Sequence, residues 1–140
     1  MFAVLDTNHF REFALGTALG AKLRQRLDAE RTEVFVPIVV AEEALHGWVT
    51  FIRRSKAGPA QIAGYARLQG CIAALHKLDI LAFDREAADR FAALERQRIR
   101  IGTMDLKIAA ICLAHDATLL TRNLVDFEKV PGLRVENWLD

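Results

Sequence analysis

Four acidic residues lie at points of the sequence where an apolar segment ends or a helix is expected to begin. Asp6 directly follows the apolar residues 2–5, and Glu43 lies in the first turns of a segment with helical spacing. Asp105 opens a strongly apolar segment, and Asp126 lies just beyond another one. Ligands of open α/β sheets bind at the carboxyl ends of the strands, so a functional carboxylate is expected at the position of Asp6.

Carboxylates that are gathered at one place repel each other unless a cation neutralises them. At about 4 Å and an effective dielectric constant near 20, one pair costs roughly 4 kcal/mol. A divalent cation removes this cost, and oxygen ligands without nearby His or Cys favour magnesium or manganese over zinc. Such a cation activates water and stabilises the charge that builds on a phosphate during in-line attack. The acidic residues therefore predict the hydrolysis of phosphodiester bonds.

Each of the four acids also has a structural interpretation, which stays open at this stage. Asp6 suits a helix N-cap, and Asp105 suits a first helical turn, where a negative charge gains about 0.3–1 kcal/mol from the dipole. Taken alone, Glu43 resembles a surface glutamate and Asp126 resembles a turn residue. Only Asp6, at the end of a buried strand, favours a functional role without support from the other three.

The carboxylates can converge only if the strands before them are parallel and share one edge of a sheet. Apolar segments predict five short strands, at residues 2–5, 34–36, 80–83, 118–121 and 134–138. Helical spacing predicts two helices after Asn8, separated at Gly16, and further helices at residues 38–48, 61–77, 85–98 and 104–115. Strands that alternate with helices form βα units with right-handed crossovers, which predicts an α/β fold with a parallel sheet between layers of helices.

The composition predicts one globular domain over residues 1–140, since 52% of the residues are hydrophobic and 26% are charged. A net charge of +1 gives no overall basic field, so binding of nucleic acid would need a local basic patch. Cys71 and Cys112 are isolated from other metal-ligating residues, which predicts reduced thiols in the core. The lack of a signal peptide and of a long apolar segment predicts a cytoplasmic protein with no membrane helix.

Four motifs follow one another along nearly the whole chain. They are LDTN from residue 5, EALHG from residue 43, GTMDLKIAA from residue 102 and LTRN from residue 120, the last followed by DF, VPGL and ENW. In this order and spacing they resemble the PIN-domain nucleases, and specifically the VapC-type toxins of bacterial toxin–antitoxin pairs. One such motif would be a weak signal, whereas four in order are a strong one. The glycine four residues after the acid in the second motif selects Glu43 rather than Glu42.

The resemblance implies a three-layer α/β/α sandwich with a parallel five-stranded sheet, and an endoribonuclease that depends on Mg²⁺ or Mn²⁺. It implies that Asp6, Glu43 and Asp105 are the catalytic metal ligands. Many relatives carry a fourth acid two residues after the threonine, where this chain has Asn123, and the resemblance then implies that Asp126 takes this part. The implied partners are a cognate antitoxin that blocks the site, a second copy of the chain, and transfer or ribosomal RNA as the substrate.

Polar and basic residues beside these acids are the candidates for binding the RNA. We expect the phosphate and the strand to be held by Thr7, Asn8, Arg11, Lys107, Thr121, Arg122 and Asn123. His9 is a further candidate for contact with the substrate.

A PIN-like module that captures RNA or a protein with weak cleavage or none is the alternative function, because Asn123 departs from the family pattern. A phosphatase of the aspartyl-phosphate type is disfavoured. It needs a second acid two residues after the first, and this chain has Asn8 at that position.

Overall fold

The apolar segment at the N-terminus forms the central strand of a parallel sheet. In this computed structural model, which describes residues 1–140, the strand order is β3-β2-β1-β4-β5. All four strand pairs are parallel. The strands are β1 (Phe2–Leu5), β2 (Glu33–Pro37), β3 (Asp79–Leu81), β4 (Thr118–Leu120) and β5 (Arg134–Glu136). The predicted five-stranded parallel sheet is therefore confirmed.

Helices connect the strands and cover the sheet, which gives a three-layer α/β/α sandwich. They are α1 (Thr7–Leu15), α2 (Ala18–Ala29), α3 (Ile38–Arg53), α4 (Ile62–His76), α5 (Arg85–Arg96), α6 (Thr103–Ala114) and α7 (Leu124–Phe127). Right-handed crossovers place α1 to α4 on one face of the sheet and α5 with α6 on the other. The structure has no helix that is both long and apolar enough to span a membrane.

Strands β2 and β3 follow on one side of β1, whereas β4 and β5 lie on its other side, so that β1 lies between β2 and β4. Crevices at such switch points are the usual ligand sites of open α/β sheets. Leu5 pairs with Leu120 in the parallel register, and the Asp6 amide donates to the Leu120 carbonyl oxygen at 3.0 Å. The residues that follow β1 and β4, Asp6 and Thr121, are thereby brought side by side.

The core explains why the segment around α6 is apolar on nearly all sides. Residues 108–112 of this helix have no exposed surface, and neither do residues 3–5 of β1. The buried residues form one hydrophobic cluster that also includes Phe10 and Phe127. The acid at the start of α6, Asp105, therefore lies on a helix that is buried in the core.

Several element boundaries differ from the sequence-based prediction. Helix α3 continues five residues beyond the predicted end, and β3 covers residues 79–81 rather than 80–83. A turn was predicted around Asp126, but a short helix α7 forms there because the Asn123 side chain accepts a hydrogen bond from the Asp126 amide. The predicted break at Gly16 is confirmed, and the Asp84 side chain caps the start of α5.

Close packing of α1 against α2 depends on a glycine. A Cβ atom at Gly20 would lie far inside van der Waals contact with the main-chain oxygen of Glu12. We expect Gly20→Ala to lower the free energy of unfolding by about 1–3 kcal/mol, because the two helices must move apart. Gly70→Ala is the matched control in α4, where an added Cβ meets no atom within 4 Å. It should raise stability by about 0.5–1 kcal/mol through helix propensity. Urea denaturation checks both, and equal stability of the two variants would contradict this packing.

Candidate functional site

Asp6 forms the floor of the site and also caps α1. One of its carboxylate oxygens accepts a hydrogen bond from the Thr7 amide at 2.8 Å, and the other accepts one from the Thr121 hydroxyl at 2.7 Å. Only 8% of Asp6 is exposed. Both interpretations of this residue are therefore compatible, because each carboxylate oxygen has two lone pairs and the protein uses only one on each.

Glu43 reaches the same place from α3. Its Oε1 atom accepts a hydrogen bond from the Thr7 hydroxyl at 2.7 Å. Thr7 thus donates its amide to Asp6 and its hydroxyl to Glu43, which links two acids from different helices and strands. This link fixes the orientation of the Glu43 side chain, which lies largely in solvent.

Asp105 lies in the first turn of α6, and its pKa is the most strongly raised among the four acids. Its pKa is raised to about 6, first by burial and then by the negative charges of Asp6, Glu43 and Asp126. The pKa of Asp6 is also raised by burial, although hydrogen bonds from Thr121 and Thr7 oppose this effect. The carboxylates of Asp6, Glu43 and Asp126 thus lie close enough to Asp105 for their negative charges to raise its pKa.

Asp126 differs from the other three acids because it already has partners. The Asn123 side-chain amide donates to one of its oxygens at 3.0 Å, and the Lys129 ammonium group contacts the other at 3.3 Å. These two groups hold the pKa of Asp126 below its ordinary value. Asp126 therefore remains ionised and adds negative charge to the field around Asp105.

The chemistry of this donor set fits a divalent cation with a preference for oxygen ligands. Asp6, Glu43 and Asp105 supply carboxylate oxygens only, and a cation between them would relieve the repulsion that raises the pKa of Asp105. In the arrangement described, Glu43 is turned to Thr7, and no three acidic, histidine or cysteine side chains surround one point. The acids thus lie near one another, but their carboxylates do not converge on a single point in this arrangement.

The other residues that the sequence singled out lie in different surroundings. Thr7 and Thr121 belong to the hydrogen-bonded network of the acids, and Thr121 has no exposed surface. The Arg122 side chain is turned to Asp140, with 3.3 Å between Nε and a carboxylate oxygen. The remaining candidates are exposed or half-buried, namely Asn8 and Arg11 on α1, Lys107 on α6 and Asn123 before α7.

The expectation that His9 contacts the substrate is wrong. His9 has no exposed surface, and its Nε2 atom accepts a hydrogen bond from the Trp138 amide at 3.1 Å. Burial is the main reason that its pKa falls to about 4, so the ring is neutral at physiological pH. His9 attaches the C-terminal segment to α1 and is a structural residue.

A groove beside the acids was not foreseen from the sequence. It has a volume of about 570 Å³, lies between α1, α3 and α4, and includes Thr7 and Glu43 in its lining. Arg54 and Arg67 also line it, and neither is among the candidate residues identified from the sequence. The sequence carries one signal of this groove, which is the spacing of Glu43, Gly47 and Arg54. These residues share one face of a helix only if α3 extends to its observed end at Arg53, beyond the predicted end at residue 48.

Comparisons with known proteins show what the chain is similar to. A sequence model of the PIN domain matches residues 3–133. The chain is 35% identical over 68 residues to Ribonuclease VapC2 of Rickettsia felis, a match that covers 46% of this chain and 51% of that protein. It thus spans about half the length of this relative. It is 25% identical over 120 residues to the tRNA(fMet)-specific endonuclease VapC of Salmonella typhimurium, with 83% of each chain covered.

The fold is also found in a solved structure. A chain of VapBC2 from Rickettsia felis, bound to a DNA fragment from its promoter, superimposes with a TM-score of 0.75. The sequence identity is 24%, and 99% of both chains is covered. This similarity confirms the three-layer fold over the full length of the chain.

The raised pKa of Asp105 predicts a cost to stability that depends on pH. Below about pH 4 the carboxyl group is protonated in both states and there is no cost. Between pH 4 and 6 the folded state retains the proton more strongly than the unfolded state, so stability falls as the pH rises. We therefore expect Asp105→Asn to raise the free energy of unfolding at pH 7 by on the order of 1 kcal/mol, a value reduced by partial hydration of the group.

Urea denaturation of both proteins at pH 4 and pH 7 in EDTA checks this expectation. Asp89→Asn on the exposed surface of α5 controls for the loss of one negative charge. A stability gain for Asp105→Asn that is equal at the two pH values would contradict the raised pKa of Asp105.

Proposed function

Since the chain belongs to the PIN domain family, we propose that it is a metal-dependent endoribonuclease of the VapC type, the toxin of a toxin–antitoxin pair. The observation that carries this proposal is the shared environment of four acids at the switch point of the sheet. Thr7 donates hydrogen bonds to both Asp6 and Glu43, and the negative charges of the other three acids add to burial in raising the pKa of Asp105. The curated relatives named as VapC ribonucleases support the same activity.

Asp6, Glu43 and Asp105 would hold the metal, for which we propose Mg²⁺, with Mn²⁺ as an alternative. When bound, such a cation lowers the pKa of water and stabilises the negative charge of a phosphate under in-line attack. The buried position of Asp6 holds one ligand in place, while the exposed Glu43 would exchange its hydrogen bond with Thr7 for the metal. Asp126 is the weaker candidate for a catalytic acid, because Lys129 and Asn123 already occupy its carboxylate.

The neighbouring residues divide into positioning and binding groups. Thr121 is fully buried and donates its hydroxyl hydrogen bond to Asp6, so we assign it to the orientation of this acid. Asn8 and Arg11 follow Asp6 on the exposed side of α1, where they can contact phosphate oxygens of the RNA. Lys107 on α6 and Arg122 after β4 offer positive charge on the other side, and Arg122 must exchange its contact with Asp140 for the substrate.

The partners follow from the same family membership. We propose transfer or ribosomal RNA as the substrate class, and the name of the Salmonella typhimurium relative favours transfer RNA. We also propose a cognate antitoxin that covers the site, a homodimer, a cytoplasmic location and a single PIN domain over residues 1–140. The VapBC2 structure from Rickettsia felis supports the antitoxin, since VapBC is the name of a family of toxin–antitoxin systems.

The central experiment is cleavage of RNA by the purified protein. We expect cleavage with Mg²⁺ or Mn²⁺ and none in EDTA, and Asp6→Asn should reduce cleavage to background while the protein remains folded. Sequencing of RNA 5′ ends after induced expression would locate the cut. Retained cleavage in Asp6→Asn would contradict the proposal. Binding of RNA by the wild-type protein without turnover on any RNA would instead favour a PIN-like binding module.

The hydrogen bond from Thr121 to Asp6 predicts a second, graded effect. Thr121→Val preserves the shape of the side chain but removes the donor, so that the Asp6 carboxylate loses a partner that orients it. We expect metal affinity or cleavage rate to fall by about 10–100-fold, as is typical for groups that orient metal ligands. Thr121→Ser keeps the hydroxyl and should retain most of the activity. Equal activity of the Val and Ser variants would exclude the positioning role.

A further inference from the structure

The Arg122 side chain lies at the edge of the sheet that carries the acids, two residues beyond the end of β4, but it is paired with the C-terminal segment. Its Nε and Nη2 atoms each lie 3.3 Å from a carboxylate oxygen of Asp140. Its positive charge contributes to lowering the pKa of His9. It is not among the causes that shift the pKa of Asp6 or Asp105. The guanidinium group is therefore turned to the C-terminal segment rather than to the acids.

The segment that carries Asp140 is attached to the body of the protein by other contacts. Trp138 is buried, and its amide donates a hydrogen bond to His9 Nε2 at 3.1 Å. The Asn137 side-chain amide donates to a carboxylate oxygen of Asp140 at 2.8 Å. These contacts place the Asp140 carboxylate beside Arg122 independently of the ion pair itself.

The ion pair between Arg122 and Asp140 is accessible to an RNA phosphate. The two side chains are 34% and 61% exposed, and exposed ion pairs are weak. A carboxylate and an RNA phosphodiester each carry one negative charge and two free oxygen atoms that match the fork of a guanidinium group. Asp140 therefore occupies the same donors on Arg122 that a phosphodiester would use.

From this geometry we propose that Asp140 is an internal competitor of the RNA substrate. Its carboxylate holds the Arg122 guanidinium group in the free protein, and a phosphate of the RNA must displace it before Arg122 can contact the strand. Asp140 thus acts on the substrate through Arg122, as a positioning residue that weakens binding. This inference rests on the proposed ribonuclease function and adds a residue that sets the affinity of the same site.

A purely structural role of the ion pair is the competing explanation. The buried Trp138 and its bond to His9 already attach the C-terminal segment, so a weak exposed pair adds little to this attachment. Asp140 is also the only partner of the Arg122 side chain among the hydrogen bonds and ion pairs of the structure. Loss of Asp140 would therefore leave the guanidinium group fully available to an anion.

The chain offers a matched control for the loss of one aspartate. Asp140→Asn removes the charge at nearly constant size, and Asp140→Ala is a second variant without the charge. Asp116→Asn is the control, because Asp116 is also an exposed partner of an arginine, with 2.9 Å between its carboxylate and Arg134 Nη1. It precedes β4 and so lies at the end of the sheet opposite to the acids. Urea denaturation establishes that the variants are folded and lose similar, small amounts of stability.

Binding and cleavage are measured separately. The binding probe is unfractionated transfer RNA with a fluorescein label at its 3′ end, titrated with protein in EDTA. A salt concentration of about 0.15 M screens charges that are more than about 8 Å apart. Cleavage of the same RNA with Mg²⁺ gives kcat and KM. All measurements are repeated in the Arg122→Gln background.

The proposal predicts that Asp140→Asn and Asp140→Ala bind the RNA about two- to fivefold more tightly than the wild-type protein, which is the range that an exposed ion pair can withhold. KM should fall by the same factor with kcat unchanged, because the competitor weakens the binding of substrate and transition state equally. In the Arg122→Gln background the gain should be less than about 1.5-fold, since only screened repulsion by the carboxylate remains. Asp116→Asn should bind as the wild type does.

The other outcomes separate the two proposals from each other. If the wild-type protein cleaves RNA with Mg²⁺ but the Asp140 variants bind it as Asp116→Asn does, the competition is wrong and the nuclease function stands. An equal gain with and without Arg122 would show general charge repulsion, and weaker binding by the Asp140 variants would show that Asp140 orients Arg122 for the RNA. Either result overturns the competition. A wild-type protein that neither binds nor cleaves transfer or ribosomal RNA overturns both proposals.

Discussion

Burial of the Asp6 carboxylate is the constraint on which the rest of the site depends. A buried carboxylate is costly unless hydrogen bonds replace its hydration, and here the Thr7 amide and the Thr121 hydroxyl do so. Thr121 is in place only because Leu5 pairs with Leu120 in the parallel register of β1 and β4. A slip of one residue would turn Thr121 to the opposite face of the sheet and leave Asp6 without its partner. The orientation of Asp6 therefore depends directly on the correct pairing of β1 with β4.

The acids around Asp6 differ in how their charge is balanced. Asp126 is ionised and paired with Lys129 and Asn123, which lowers its pKa, whereas the pKa of Asp105 is raised by burial and then by the negative charges of the three other acids. Unbalanced negative charge therefore concentrates on the side of Asp6, Glu43 and Asp105. Perturbed carboxylates of this kind are more common at functional sites than elsewhere, because the repulsion is removed when a cation or substrate binds.

Helix α3 connects this charge to the groove. Its first turns supply Glu43, and the same face continues through Gly47 to Arg54. A rigid helix thereby fixes the distance between Glu43 and Arg54. Thr7 has a corresponding role on α1, because it bonds to two acids and also lines the groove. The acids and the groove are thus held at a fixed distance by secondary structure rather than by loops.

Local patterns determined the succession of strands and helices along the chain, the break at Gly16 and the acids that stand at strand ends or helix starts. These features depend on apolar spacing and on turn chemistry within a few residues, which the sequence displays directly. Element ends at β3 and α7 were missed because tertiary contacts and a side-chain cap set them. Only the tertiary structure decided that Thr121 orients Asp6, that His9 lies buried beneath Trp138, and that Arg54 and Arg67 line one groove. Each of these contacts joins residues far apart in the chain, and strand order, register and helix packing select them among many alternatives that the sequence leaves equal.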